Sequence, residues 1–220
     1  MEGDKVQVSI RVRPLIQREK DAGDTINWKY DKNLIQAYNP ETKCLTGQPY
    51  TFDGIFHDKV DTAEVYHQVV SPIVEKSLQG YNGTVLCYGQ TSSGKTHTLY
   101  GTEKEDGIIS LTAKHLFQLI NGDETRTYYI RVGLLEVYNE KVSDLLNNGS
   151  HVEIKDKNGV AFPHDLKELE VFNSQEMLSA AKTVQAKRKI GETQMNKESS
   201  RSHTIVRILI ESVPNDNEEE

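Results

Sequence analysis

The sequence predicts an α/β fold in which a central, largely parallel sheet of the P-loop NTPase type carries helices on both faces. Strand-like and helix-like segments alternate along the chain, and residues 89–96 form the glycine-rich loop GQTSSGKT between a strand and a helix. An apolar fraction of 36% and a charged fraction of 27% are typical of a folded globular chain. The 220 residues are enough for one domain, or for one domain with an appendage.

An alternating pattern near the N-terminus predicts the first strand. Its apolar residues alternate with Gln7, Ser9 and Arg11, which is the period of a strand with one buried face. These apolar positions are Val6, Val8, Ile10 and Val12. Residues 50–56 give a second, shorter strand signal.

A helix is predicted next, capped by Asp61 or Thr62 and running to Gly80. Pro72 lies inside it and should kink or break it, because proline lacks an N–H donor and clashes with the preceding turn. The predicted buried stripe consists of Val65, Val69, Ile73 and Leu78.

The remaining chain continues the alternation of strands and helices. The predicted strands cover residues 84–88, 128–138 and 204–213. The predicted helices cover residues 111–120 and 174–190. Met177, Ala181 and Val184 should face inward from the second of these helices.

Charge and cysteine content exclude several classes of protein. A formal net charge of −7 provides no general electrostatic reason to bind nucleic acid or acidic lipid. Cys44 and Cys87 have no metal-ligand spacing, and Cys87 lies in an apolar run as a small core residue would, so we expect a reducing compartment. No apolar run approaches the roughly 18 residues of a membrane span, so we expect an intracellular protein without a transmembrane segment.

The loop at 89–96 matches the phosphate-binding pattern G-x-x-x-x-G-K-[ST] without deviation. Gly89 and Gly94 permit backbone angles that turn N–H groups toward phosphates. Lys95 can reach the outer phosphates, and the hydroxyl of Thr96 can ligate Mg²⁺. The expected phosphate-binding residues are Gly89, Gln90, Thr91, Ser92, Ser93, Gly94, Lys95 and Thr96.

Two further observations concern the nucleotide. Guanine-specific proteins of this class carry N-K-x-D, whereas residues 196–199 read NKES without the aspartate, so ATP is favoured over GTP. The hydroxyl-rich stretch NKESSRSH at 196–203 could ligate Mg²⁺ and order a water near the γ-phosphate. Alone it is typical of a solvated loop, but a P-loop in the same chain favours a nucleotide-sensing element.

Four sequence blocks together resemble a kinesin motor domain. They are RVRPL at 11–15, QGYNGTVLCYGQTSSGKTHTLYG at 79–101, LLEVYNEKVSDLL at 134–146 and NKESSRSH at 196–203. Residues 191–212 are most similar to the centromere-associated mitotic kinesins. The resemblance implies the kinesin motor fold, incomplete at its C-terminus.

The resemblance also implies roles for individual residues. Arg11, Arg13 and Pro14 would line the adenine pocket, with the base held between Pro14 and His97. Catalytic roles would fall to switch I residues, with Ser200 near Mg²⁺ and Ser199 near the attacking water. These residues are Asn196, Ser199, Ser200 and Arg201, and the implied metal ligands are Thr96 and Ser200.

At the level of function, the resemblance implies a Mg²⁺-dependent, microtubule-stimulated ATPase that moves along microtubules and transports mitotic chromosomes or kinetochores. Microtubules would be the partner, with lysines of the loop at 155–158 touching tubulin, and neither nucleic acid nor membrane would be bound. Homodimers would form only through a coiled coil outside this chain. The implied location is the cytoplasm and cytoskeleton, with the spindle or kinetochore during mitosis.

The 220 residues contain no counterpart of DLAGSE, the kinesin second switch, so we expect them to hydrolyse ATP poorly by themselves. Residues 1–213 would be about two-thirds of a motor domain, and 214–220 an acidic loop or chain end. The missing strands would leave a sheet edge unpaired. The alternative, if the protein ends at Glu220, is a non-hydrolysing nucleotide-binding or assembly module.

Overall fold

The structure is a computed structural model, and it describes residues 6–183 and 202–215. The chain divides into two compact units, Met1–Val69 and Val70–Glu220. None of the helices in the described ranges is long and apolar enough to cross a membrane.

Within its described residues, from Val6 onward, the first unit contains five strands, arranged in two small sheets, and two helices. The strands are β1 (Ser9–Arg11), β2 (Trp28–Asp31), β3 (Leu34–Asn39), β4 (Cys44–Thr51) and β5 (Gly54–Phe56), and the helices are α1 (Gln17–Asp21) and α2 (Thr62–Val65). Strand β1 pairs in parallel with β5, whereas β2, β3 and β4 form an antiparallel meander.

The predicted N-terminal strand is shorter than its sequence pattern. Only Ser9–Arg11 pairs with β5, and Val6 and Val8 are 82% and 47% exposed, so the expected buried face does not extend through them. The predicted strand at 50–56 is divided between β4 and β5. At this break the Asp53 carboxylate accepts the backbone N–H of Val8 at 2.7 Å, in place of a strand partner.

Asp61 begins the next helix, since its Oδ1 accepts the N–H of Glu64 at 2.9 Å. Helix α2 continues directly into a π-helical turn (Tyr66–Val70) and then α3 (Ser71–Leu78), with Pro72 in the first turn of α3. A π turn leaves room for a residue without an N–H, so the helical chain neither stops nor restarts at Pro72. The wider turn moves the buried positions to Val70 and Val74 instead of the predicted positions 69 and 73.

The second unit is organised around one long strand, β6. Its helices are α3, α4 (Lys95–Tyr100), α5 (Ile108–Asn121) and α6 (residues 174–183). Its strands are β6 (Arg126–Tyr138), β7 (Lys141–Asp144), β8 (Ser150–His151), β9 (Glu153–Lys157), β10 (Val160–His164), β11 (Glu168–Glu170) and β12 (Ser202–Pro214). Strand β12 pairs along the whole length of β6, while β11 and β7 share its opposite edge.

All strand pairs of the second unit are antiparallel in the part of the chain that the structure describes. The expectation of a largely parallel sheet is therefore not confirmed, since β1–β5 is the one parallel pair among the described strands. The core of this unit includes Val132 and Leu134 of β6, Leu116 of α5 and Met177 of α6, each at most 1% exposed. Val184, predicted to face inward from α6, lies outside the described residues.

The predicted strand at 84–88 does not form. These residues have no regular structure, and Leu86 and Tyr88 are 78% and 93% exposed. An apolar run becomes a strand only when neighbouring strands pair with its N–H and C=O groups, and the described residues provide no such neighbour. The element prediction was therefore wrong, although the loop that follows it is formed.

Candidate nucleotide-binding site

The loop at 89–94 has the backbone that its glycines permit. Gly94 has φ +101° and immediately precedes helix α4. A Cβ atom on Gly89 would lie 2.5 Å from Ser93 Oγ, closer than real contacts allow. Ser92 also has a positive φ of +66°, so three of the six residues take conformations that reverse the chain into a tight cradle.

The Lys95 side chain folds back over this cradle. Its ammonium donates hydrogen bonds to the carbonyl oxygens of Gly89 (2.7 Å) and Gln90 (2.8 Å). No side chain caps the start of α4 at Gly94, so the helix presents its N-terminal end without a competing acceptor from a capping residue. A positive charge and a helix N-terminus at one loop are suited to a phosphate group, whose oxygens can replace the two carbonyls.

The other predicted residues of the loop lie in the same turn. Gln90, Thr91 and Thr96 are exposed, and Ser93 is half-buried. Thr96 follows Lys95 directly in the first turn of α4, which leaves its hydroxyl accessible beside the cradle. Hydroxyl oxygen is a ligand that Mg²⁺ accepts together with phosphate and water oxygens, so this residue fits the predicted metal role.

His97 lies one residue further along α4. Its side chain is 45% exposed, and its Nε2 is 3.6 Å from Oε2 of Glu105 in the connection to α5. An accessible imidazole at this position fits the predicted contact with a nucleobase.

The predicted residues Arg11, Arg13 and Pro14 belong to the first unit. The Arg11 guanidinium donates to Thr62 Oγ1 at 3.0 Å and to the carbonyl oxygen of Val60 at 3.4 Å. Pro14 is exposed. Their placement around an adenine ring stays a prediction, because His97 belongs to the second unit.

Arg13 and Glu19 form a two-pronged ion pair. The guanidinium nitrogens donate to Glu19 Oε2 at 2.7 Å and to Oε1 at 2.6 Å. These bonds, followed by the N–H of Ile16, lower the pKa of the Glu19 carboxyl to about 2. Glu19 therefore fixes the Arg13 side chain at the start of α1.

We expect Glu19 to stay ionised at pH values where an ordinary glutamate, with a pKa of about 4.3, is largely protonated. Because the folded-state pKa is depressed, the stabilising contribution of the pair is complete above about pH 4.3 and is lost as the pH falls toward about 2. Carbon-detected NMR titration of the carboxyl group measures this directly. Arg13→Gln should return the pKa most of the way to the ordinary value, whereas Arg18→Gln should leave it low; equal effects of the two would contradict the assignment.

The predicted switch I residues are not among those that the structure describes. Asn196, Ser199, Ser200 and Arg201 all lie between the two described ranges, so their catalytic and metal-binding roles stay predictions. The second described range begins at Ser202, the first residue of β12.

One polar residue that sequence reasoning overlooked is Asp144, at the end of β7. It is completely buried, and its Oδ1 accepts the N–H groups of Leu146 (2.8 Å) and Asn147 (3.2 Å). Its Oδ2 accepts the N–H of Lys167 at 2.8 Å, just before β11. Asp144 thus joins the turn after β7 to a segment 23 residues away and has a structural role. Nothing in its local pattern, an aspartate before two leucines, signals this burial.

Comparison with known proteins places these features in a family. A family model described as the kinesin motor domain matches residues 11–220. Human Centromere-associated protein E is 38% identical over 94% of this chain and 8% of its own length. Kinesin-like protein KIN-7K, chloroplastic, of Oryza sativa subsp. japonica is 39% identical over 96% of this chain and 20% of its own.

A third relative, Kinesin-like protein KIN-7D, mitochondrial, of Arabidopsis thaliana, is 36% identical over 96% of this chain and 20% of its own length. The chain thus spans about a fifth or less of the length of these relatives. The family match includes the whole P-loop cradle and the long β6–β12 pair that follows it. The chain therefore belongs to the kinesin motor domain family, with its P-loop α/β fold.

Proposed function

We propose that this chain is the ATP-binding part of a microtubule motor, with residues 1–213 contributing to the motor domain. The observation that carries the proposal is the Lys95 ammonium, held 2.7 Å from the Gly89 carbonyl oxygen inside the cradle. The ammonium stabilises the negative charge of the outer phosphates, and the reversed backbone of the loop surrounds them.

Mg²⁺ would be held by Thr96 of this loop and by Ser200. The ion neutralises charge on the β- and γ-phosphates when it is bound. On the adenine side, Pro14 and His97 hold the base while Arg11 and Arg13 line the pocket. Ser199 orients the attacking water, and Asn196 and Arg201 complete the switch I set.

The proposed partner of the motor is the microtubule, which stimulates its ATPase activity. Within the chain, the β9–β10 hairpin is a candidate contact because it presents Lys155 and Lys157 beside a tight turn at Asn158 and Gly159, both with positive φ. Lys155 is partly neutralised by Glu153, at 3.5 Å. We expect Lys157 to be the stronger contact with the acidic surface of tubulin.

A role in mitotic chromosome or kinetochore transport is the proposed cellular function, with the cytoskeleton and the mitotic spindle as its location. It is supported by the resemblance at residues 191–212 and by the relative named Centromere-associated protein E. Dimerisation through a coiled coil outside these residues, and the absence of nucleic acid and membrane partners, belong to the same proposal.

Lys95→Ala tests the nucleotide site. Removing the ammonium should weaken ATP binding at least tenfold, about 1.4 kcal/mol, because the triphosphate loses its nearest positive charge. A fluorescent ATP analogue titrated in the presence of Mg²⁺ measures the affinity. Lys76→Ala, which removes an exposed lysine of α3, is the matched control and should bind like the parent. Equal affinity of the Lys95→Ala variant and the parent would refute the assignment.

A further inference from the structure

The connection between α4 and α5 is a compact turn at residues 101–107. Gly101 and Asp106 form an antiparallel bridge, and the N–H of Thr102 donates to the carbonyl oxygen of Glu105 at 2.8 Å. The Thr102 hydroxyl oxygen accepts the N–H groups of Lys104 and Glu105, each at 3.2 Å. The backbone on both sides of Glu105 is therefore fixed by hydrogen bonds.

Two glycines allow the chain to close on itself at this turn. A Cβ atom on Gly101, which has φ +76°, would lie 2.2 Å from the carbonyl oxygen of Glu105. A Cβ atom on Gly107 would lie 2.3 Å from the backbone nitrogen of Gly101. Both contacts involve backbone atoms, which cannot move aside as a flexible side chain can, so the close approach requires glycine at both positions.

The turn is also anchored to the helix that follows it. The Asp106 carboxylate accepts the Ser110 hydroxyl at 2.7 Å and the Lys114 ammonium through its other oxygen. The hydrogen bond from Lys114, and then that from Ser110, lowers the pKa of Asp106, which favours the ionised carboxylate that both donors contact. The residue next to Glu105 is thus tied to α5.

This rigid turn holds Glu105 against His97. The two side chains are 31% and 45% exposed, and Oε2 of Glu105 lies 3.6 Å from Nε2 of His97. We propose that Glu105 is a positioning residue, which orients the His97 imidazole for contact with the nucleobase. The inference rests on the proposed nucleotide-binding function and adds to it a residue that determines how strongly the base is held.

The chemistry of the contact explains how it would act. Nε2 is the polar atom at the edge of the imidazole ring, and a carboxylate that engages this edge leaves a ring face for stacking on a base. A side chain that is already oriented loses less conformational freedom when the ligand binds, which increases affinity without adding a contact to the ligand.

If Glu105 acts through His97, its loss should weaken the binding of the base and not that of the phosphates. Comparing a ligand that has a base with one that lacks it therefore tests the proposal. ATP and Mg²⁺–tripolyphosphate compete with a fluorescent nucleotide for the same cradle, but only ATP carries a base. Glu105→Ala should weaken ATP binding about three- to tenfold while changing tripolyphosphate binding less than about twofold. Glu103→Ala is the matched control, because it removes an equal charge from an exposed position of the same turn and should leave the ratio of the two affinities unchanged.

Two further measurements separate positioning from a general loss of structure. The imidazole resonances of His97 in NMR spectra should shift in Glu105→Ala and not in Glu103→Ala, with the same melting temperature for both. Combined with His97→Ala, Glu105→Ala should cause no additional loss of ATP affinity, since residues that act as one unit are not additive.

Additive losses, or an unchanged ratio of ATP to tripolyphosphate affinity in Glu105→Ala, would overturn the role proposed for Glu105. The proposed nucleotide-binding function would still stand. Failure of the parent chain to bind either ligand would overturn the proposed function, and this inference with it.

Discussion

Residues 1–220 should hydrolyse ATP on the order of a hundred- to a thousandfold more slowly than a chain extended to include a DLAGSE sequence. In this class of site, hydrolysis requires the switch I hydroxyls and a second switch to act together on the metal, the γ-phosphate and the attacking water. The 220 residues supply NKESSRSH at 196–203 but no aspartate element of the DLAGSE kind. Most of the tubulin-binding surface implied by the family resemblance would also lie in the added segment.

Steady-state ATPase assays on both chains, with and without microtubules, measure this difference. Only the extended chain should respond to microtubules. A nucleotide titration serves as the control, since equal ATP affinities would show that turnover and not binding differs. Both proteins must be soluble and monodisperse, because unpaired strand edges promote aggregation. Robust microtubule-stimulated turnover by residues 1–220 would prove the prediction wrong.

Asp144→Ala should lower the free energy of unfolding by about 2–4 kcal/mol. The completely buried carboxylate accepts three backbone N–H groups, from Leu146, Asn147 and Lys167. Alanine leaves the N–H groups of Leu146 and Lys167 without this acceptor and opens a cavity at the end of β7, whereas the N–H of Asn147 keeps the backbone carbonyl oxygen of residue 144 at 3.3 Å. The loss is smaller than the three bonds would suggest in isolation, since burying the charge itself costs free energy.

Urea unfolding followed by circular dichroism measures the change in stability. Asp144→Asn should have an intermediate effect, because its amide retains one acceptor oxygen but directs N–H groups at a backbone donor. Asp58→Ala, at an exposed position, should stay within about 0.5 kcal/mol of the parent. A similarly small change for Asp144→Ala would contradict the structural role of its carboxylate.

Elements with a strong local period could be predicted from the sequence. The apolar stripe at 111–120 and the β-branched run at 204–213 correspond to α5 and β12, each extended by a few residues. The strand at 84–88 was predicted from equally apolar residues but did not form. Helix α5 satisfies its own backbone, and β12 forms because it pairs along the whole of β6, whereas residues 84–88 have no strand partner among the described residues.

By itself, the sequence determined the phosphate cradle and the family of this protein. GQTSSGKT requires its residue types within one short segment, where glycine conformations and the start of a helix are local properties. Only the tertiary structure decided the antiparallel pairing around β6, the burial of Asp144 and the approach of Glu105 to His97. The first two depend on groups far apart in the sequence and the third on the exact path of the turn at 101–107, and a polar side chain carries no local signal of the partner that will satisfy it.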